Sequence, residues 1–276
     1  FEQAYRVVQN KVIKEGIDII VRGEGEKACL ELLDRFDKQE DYLDVKNLWI
    51  SREGQLYKNE VRRLESDLDE YPFPDWELYS DLKGKVDFSV RKVISSRGCP
   101  WHCSFCFNDA MRELYQDKGK YVRIRNIDKI IEEAKFLRDN AKTKMLCFVD
   151  DVFGLNSQWL YDFLPKYKEN VGLPFICLVR ADVICKDELY AQYLADSGCV
   201  MACFGIESGN EHMRSSILNK NLSNAQIYEA ARRLRKAGIK FRTFNILGLP
   251  GETLEDAFST VQMNIEIKTD YAWCSL

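Results

Sequence analysis

The sequence contains no run of eighteen apolar residues, so no ordinary membrane-spanning helix is expected. No secretory leader pattern is evident either. It has no basic excess: 40 Lys and Arg stand against 44 Asp and Glu, for a net charge of −4. A nucleic-acid footprint would need a clustered basic face, so no nucleic-acid partner is expected. Short repeats and low-complexity segments are absent, and histidine is reduced to two residues, His102 and His212. What the 276 residues do contain is 46 % hydrophobic and 30 % charged side chains, enough to bury a globular core. Phe1 in place of Met, and an apolar run ending at Leu276, are what a piece of a longer protein would show.

Cysteine is abundant, with ten residues. A secreted disulfide scaffold is usually short and evenly studded with Cys. Here Cys147, Cys177 and Cys203 sit inside apolar runs, where free Cys acts as a small hydrophobe. Cys29 sits on an amphipathic helix without a partner in the sequence. Only Cys99, Cys103 and Cys106 cluster tightly. A reducing, cytoplasmic setting is the expectation.

Residues 1–38 read as helix, strand and helix, with the strand at IDIIV (17–21) and a Gly-rich turn at Gly23-Glu24-Gly25. A strand, Gly-rich turn and helix make half of a doubly wound α/β domain. Residues 39–88 read as a connector with a hairpin around Glu53-Gly54, followed by extended backbone forced by Pro72 and Pro74. From residue 89 to 276 strands and helices alternate. The strands are expected at 90–96, 144–150, 174–179, 200–206, 239–247 and 271–276. The helices lie between them, with Ser223 as an N-cap and Gly198 and Gly238 as C-terminal glycines. This pattern predicts a parallel sheet with helices outside, open or closed into a barrel. Ligands in such folds sit at the C-terminal ends of the strands. The loops after the strands are therefore the place to look for chemistry.

The first of these loops carries Cys99-Pro100-Trp101-His102-Cys103-Ser104-Phe105-Cys106, spaced C-x3-C-x2-C. Thiolates are soft ligands that select zinc, Cu(I) or iron–sulfur clusters. Three of them can hold three corners of a cubane and leave the fourth iron open. His102 offers a fourth ligand for a closed structural zinc site instead.

The segment SSRGCPWHCSFCF resembles the signature of the radical S-adenosylmethionine (SAM) superfamily, with Phe105 in its aromatic position. The resemblance implies a partial, TIM-like (β/α)6 barrel. It also implies a four-iron four-sulfur cluster on Cys99, Cys103 and Cys106, and SAM chelated at the open iron. One-electron reduction would cleave SAM to methionine and a 5′-deoxyadenosyl radical, with the cofactor carrying the hard chemistry.

The remaining strand-end loops supply the expected SAM contacts. Arg180 offers a bidentate partner for the SAM carboxylate, or else a rim ion pair with Asp182. Glu207, in Gly205-Ile206-Glu207-Ser208-Gly209, is similar to a superfamily Glu near SAM; the alternative is an N-cap of the next helix. Leu247 and Gly248 resemble the region that packs on adenine. That match is partial, because Phe244 replaces its first Gly and Glu252 is displaced by one residue, where it can serve the next helix dipole. Asp150 and Asp151 stand where many members have Gly-Gly-Glu, and are expected to contact the SAM amino group, or substrate. His212 reads as an exposed helix-start residue.

The turn at 22–26, the hairpin connector, LDEYPFPDWELY, FVDDVF, GIESG and LGLPGET together resemble the branch whose barrel follows a cobalamin-binding domain. Residues 1–38 would be the C-terminal remnant of that Rossmann-like domain, with most of the corrinoid site before Phe1. The resemblance implies an anaerobic methyltransferase acting on an unactivated carbon or a phosphorus of a small-molecule or natural-product substrate. It also implies a one-electron reductant such as flavodoxin or ferredoxin. Radical cyclases and rearrangement enzymes share the branch. A methylthiotransferase would carry an N-terminal Cys-bearing domain, and only Cys29 precedes Cys99. The non-enzymatic alternative is a zinc-stabilised binding module.

Overall fold

The structure, a computed structural model, describes residues 17–76, 78, 89–140 and 142–276. The helix expected before Ile17, and the connector positions 77 and 79–88, lie outside the described residues. The chain divides into two compact units, Phe1–Ser66 with Phe105–Tyr121, and Asp67–Ser104 with Val122–Leu276. The limits expected from the sequence, at 38 and 88, are not the limits of these units.

The first unit holds the expected strand–turn–helix, β1 (Ile19–Val21) and α1 (Glu26–Asp37), then the hairpin β2 (Leu48–Arg52) and β3 (Gln55–Lys58). The hairpin turn falls at Glu53 and Gly54, both at positive φ, as a tight two-residue connection requires. β1 pairs antiparallel with β2, so strand and hairpin form one three-stranded sheet. Ala28, Val45, Leu48 and Ile50 are buried together beneath it. Helix α2 (Phe107–Leu114) belongs to the same unit. Its C-cap residue, Tyr115, meets the Gly-rich turn: the hydroxyl accepts the Glu24 N–H at 2.7 Å. Gly23 has φ +76°, and a Cβ there would overlap that hydroxyl. This glycine therefore answers both a backbone and a packing demand.

The second unit is built on six parallel strands, β4 (Val90–Val93), β7 (Met145–Phe148), β8 (Phe175–Leu178), β9 (Cys199–Glu207), β10 (Lys240–Ile246) and β11 (Tyr271–Ser275). Their order is β11-β10-β9-β8-β7-β4, each strand parallel to the next. A small antiparallel pair, β5 (Ser96–Arg97) and β6 (Arg123–Ile124), lies outside this sheet. The connecting helices are α3 (Ile127–Asn140), α4 (Ser157–Asn170), α5 (Ala181–Cys185), α6 (Tyr190–Asp196), α7 (Glu211–Ser216), α8 (Asn224–Lys236) and α9 (Leu254–Glu266). Strand–helix–strand crossovers with every strand parallel give the expected partial (β/α)6 barrel, with strand C-termini at one end.

Helix ends are set by side chains. Asn156 caps α4, and Ser223 with Gln226 forms a capping box on α8. The core between sheet and helices is largely aromatic. Phe148 on β7 meets Phe153, Phe163, Tyr167 and Phe175 with ring centroids 4.7 to 5.9 Å apart. The first barrel strand is shorter than expected, stopping at Val93 rather than Ser96. The Ser95 N–H is taken by the carboxylate of Asp150, so the ladder cannot continue. Among the described residues, no helix is long and apolar enough to cross a membrane.

Candidate functional site

All of the expected site residues except Phe105 and Cys106 lie in the barrel unit, in the loops after its strands or, for Glu207, at the last position of β9. Phe105 and Cys106 belong to the other unit. There Phe105 is exposed, and Cys106 is the N-cap residue of α2, with its Sγ 3.7 Å from Asn108 Nδ2.

The cysteine loop is held by carboxylates from the end of β7. Asp150 is almost wholly buried, at 1 % exposure. It accepts the hydroxyls of Ser95 and Ser96, both at 2.6 Å, and the Ser95 N–H at 3.1 Å. Burial lifts its pKa, while these donors pull the other way. The Asp150 oxygens are thus engaged inside the fold, with Ser95 and Ser96. Asp151 Oδ2 accepts the Gly98 N–H at 2.9 Å, next to Cys99.

Arg180 follows β8 and is also buried. The ion pair with Asp182 is present at 2.8 Å, yet it is not a surface pair, since the side chains are 7 % and 15 % exposed. The same guanidinium lies over the Trp101 ring, 4.3 Å from its centroid, and its Nη1 is 3.8 Å from Cys103 Sγ. A fixed positive charge thus stands beside the second cysteine of the motif.

Glu207 ends β9 in an unusual backbone. The pairing with β10 passes from Phe244↔Gly205 to Asn245↔Glu207, skipping Ile206. This bulge turns the Glu207 side chain, and its φ of +67° is rare for a non-glycine. Its Oε1 accepts the ammonium of Lys220 at 2.8 Å, with both side chains under 9 % exposed. The capping alternative is overturned, because Asn210 caps α7, accepting the N–H groups of His212 and Met213.

Leu247 continues from β10, donating its N–H to Ser275 at 2.9 Å. Gly248 has φ +79° and open space where a Cβ would be. Glu252 does not sit in the first turn of α9, which Thr253 caps. It reaches back instead, accepting the N–H groups of Gly248 at 2.5 Å and Leu249 at 3.2 Å. His212 is exposed at the start of α7, as expected.

One feature was not legible in the sequence. Residues 217–219, after α7, bond to the cysteine loop. Ser104 N–H and Oγ donate to the carbonyls of Leu218 and Ile217 at 2.9 and 2.7 Å, and Asn219 Nδ2 donates to the His102 carbonyl at 2.7 Å. These partners are more than a hundred residues away along the chain, so no local pattern announces them.

Among the described residues, no three or more His, Cys, Asp or Glu side chains are gathered as a metal site. The donor chemistry does suit an iron–sulfur cluster: all ten cysteines are free thiols, so no disulfide removes the three on the loop. Four of the others are shielded, while Cys29 and Cys274 are exposed. Burial pushes the Cys203 thiol up to about 11 and raises Cys147, Cys177 and Cys185, which suppresses the thiolate that ligation needs.

The radical SAM superfamily model matches residues 93–263, and the chain belongs to that superfamily. Its members use a four-iron four-sulfur cluster and SAM. Among curated relatives, an uncharacterised methyltransferase of Pyrococcus horikoshii is 30 % identical over 259 residues, covering 93 % of this chain and 54 % of the relative. The cytidylyl-2-hydroxyethylphosphonate methyltransferase of Streptomyces wedmorensis is 24 % identical over 277 residues, covering 87 % of this chain and 51 % of the relative. The chain thus spans about half the length of these relatives. Among solved structures, the radical SAM methyltransferase TsrM of Kitasatospora setae superposes with a TM-score of 0.74 at 17 % identity, covering 94 % of this chain and 51 % of that one. This likeness supports the fold.

Proposed function

We propose that this chain is the SAM-cleaving part of a cobalamin-dependent radical SAM methyltransferase. The observation that carries the reading is that two methyltransferase relatives match 93 % and 87 % of the chain, well beyond the superfamily match at 93–263. The cluster supplies a single electron to SAM, and cobalamin supplies the methyl group for a carbon or phosphorus of a small-molecule substrate.

The chain's own residues have distinct tasks. Cys99, Cys103 and Cys106 hold the cluster. Asp151 and Asp150 keep the cysteine loop in place through Gly98, Ser95 and Ser96. Arg180 places positive charge next to the Cys103 sulfur, which favours the more negative, reduced state of a cluster ligated there. Glu207 takes a ribose hydroxyl or the amino group of SAM, and Leu247 and Gly248 border adenine. Phe105 fills the aromatic place of the motif. Electrons come from a flavodoxin- or ferredoxin-type reductant in a reducing, cytoplasmic setting.

The test is an anaerobic incubation of the reconstituted full-length protein with cobalamin, a low-potential reductant and SAM carrying a deuterated methyl group. The expected products are 5′-deoxyadenosine and deuteromethyl-cobalamin. Production of 5′-deoxyadenosine without label on cobalamin would favour a cyclase or rearrangement enzyme. Absence of both would overturn the reading.

A further inference from the structure

Lys220 stands at a junction in the barrel unit. On one side its ammonium donates to Glu207 Oε1 at 2.8 Å. The pair lies directly over Gly205: a Cβ there would overlap Glu207 Oε1 and come within 2.5 Å of Lys220 Nζ. On the other side, the three preceding residues bond the cysteine loop at His102 and Ser104. Leu218 also packs with Met213 and Leu249, the latter in the loop after β10. Residues 217–220 therefore touch the cysteine loop, the end of β9 and the loop after β10.

The segment is itself anchored from beneath. Arg214 is wholly buried, and its guanidinium donates to the carbonyls of Ser208 at 2.5 Å and Leu222 at 2.9 Å, and to Asn224 Oδ1. Burial pushes its pKa down to about 10, which leaves it charged at neutral pH. Lys220 N–H in turn donates to the Arg214 carbonyl at 2.8 Å. Asn219, between the two contacts, has φ +47°, and Glu207 has φ +67°. Two non-glycine residues in the left-handed region, Glu207 within the buried ion pair and Asn219 next in sequence to its partner Lys220, mark a place where the fold sustains strain to aim side chains.

A buried ion pair is weak evidence for stability, because desolvation offsets the attraction. Its better use is geometric. With Oε1 occupied by Lys220, the Glu207 carboxylate has a fixed plane and one oxygen left for a ligand donor.

We propose that residues 217–220 form a bracket that fixes the cysteine loop and Glu207 relative to each other, with Lys220 as the positioning residue that orients the Glu207 carboxylate toward SAM. This rests on the reading of Glu207 as a SAM contact. Lys220 acts through Glu207 and touches no reacting atom.

Equilibrium dialysis of SAM against the reconstituted, unreduced protein tests it, with iron content measured in parallel. Lys220→Met should weaken SAM binding by roughly tenfold at unchanged iron content, and Lys220→Arg should restore most of it. Glu207→Gln should weaken binding too. If Lys220 acts on SAM through Glu207, the double variant Glu207→Gln with Lys220→Met should bind no more weakly than Glu207→Gln alone. That last comparison also serves if Lys220→Met leaves a buried carboxylate unpaired and fails to fold. Additive losses in the double variant, or parent-like binding by folded Lys220→Met while Glu207→Gln is weakened, would overturn the proposal and leave the role of Glu207 standing. Parent-like binding by Glu207→Gln would overturn the role of Glu207 itself.

Discussion

Asp151 Oδ2 accepts the backbone N–H of Gly98 at 2.9 Å, one residue before Cys99. With the Asp150 bonds to Ser95 and Ser96, both carboxylates at the end of β7 are spent on the approach to the cysteine loop. The adjacent pair of Asp residues thus clamps the approach to the cysteine loop. Asp151→Ala should leave the Gly98 donor without this acceptor, a loss of about 1–3 kcal/mol that is local to the loop. The expected outcome is fewer irons per chain after anaerobic reconstitution, with Asp151→Asn, which keeps an acceptor, close to the parent. Full iron loading in Asp151→Ala would remove the clamp from the account.

Asp150 makes stability depend on pH in a stated direction. Burial raises its carboxyl pKa above the ordinary 3.8. The folded state therefore binds this proton more tightly than the unfolded chain. Its stabilising contribution is fully present below 3.8 and is lost as pH rises through the folded value. Asp150→Asn removes the titration. In denaturant unfolding across pH, the stability of the parent relative to Asp150→Asn should fall as pH rises from 3.8 toward neutrality. A difference that does not change with pH would contradict the burial argument.

Gly209 marks a close approach of backbones. Its N–H donates to Thr260 Oγ1 at 2.8 Å, and a Cβ would run into the Ser259 carbonyl group. Neither side can yield cheaply, since the obstacle is main chain. Gly209→Ala should destabilise the protein by about 1–3 kcal/mol through overpacking, read as a lower denaturation midpoint. Parent-like stability would mean that α9 shifts freely against the end of β9.

Cys177 offers the contrast to the motif cysteines. It is fully buried on β8, 3.8 Å from Cys199 Sγ. Cys177→Ala should lose about 1 kcal/mol of packing and keep its full iron content. Loss of iron in this variant would show that the core cysteines take part in the cluster after all.

The barrel was largely legible because its signals are local. Helices α3 and α4 run over 127–140 and 157–170, as their amphipathic patterns predict. The six parallel strands fall within or close to the expected apolar runs. What escaped depends on partners distant in sequence. The end of the first barrel strand is decided by Asp150, fifty-five residues later. The helix expected from Asp187 begins at Tyr190, after the short extra helix α5. In the site, the strand-end rule and the motifs found Glu207, Arg180 and the Arg180 partner Asp182, but neither Lys220 nor Trp101. Lys220 lies in ILNKNLS, a stretch with no periodicity of its own, and Trp101 meets Arg180 only once the barrel is assembled. The bulge that turns Glu207 comes from pairing with β10, which no local pattern records.

The central claim is that Cys99, Cys103 and Cys106 hold a cluster that reduces SAM. The most direct measurement is anaerobic reconstitution of the parent and of each Cys→Ala variant at these positions. It is read by iron per chain, by the electron paramagnetic resonance of the reduced protein with and without SAM, and by 5′-deoxyadenosine formed. The account predicts about four irons in the parent, a spectrum that changes when SAM is added, and loss of 5′-deoxyadenosine in every variant. A colourless parent that retains zinc, or a variant that still forms 5′-deoxyadenosine at the parent's rate, would contradict it.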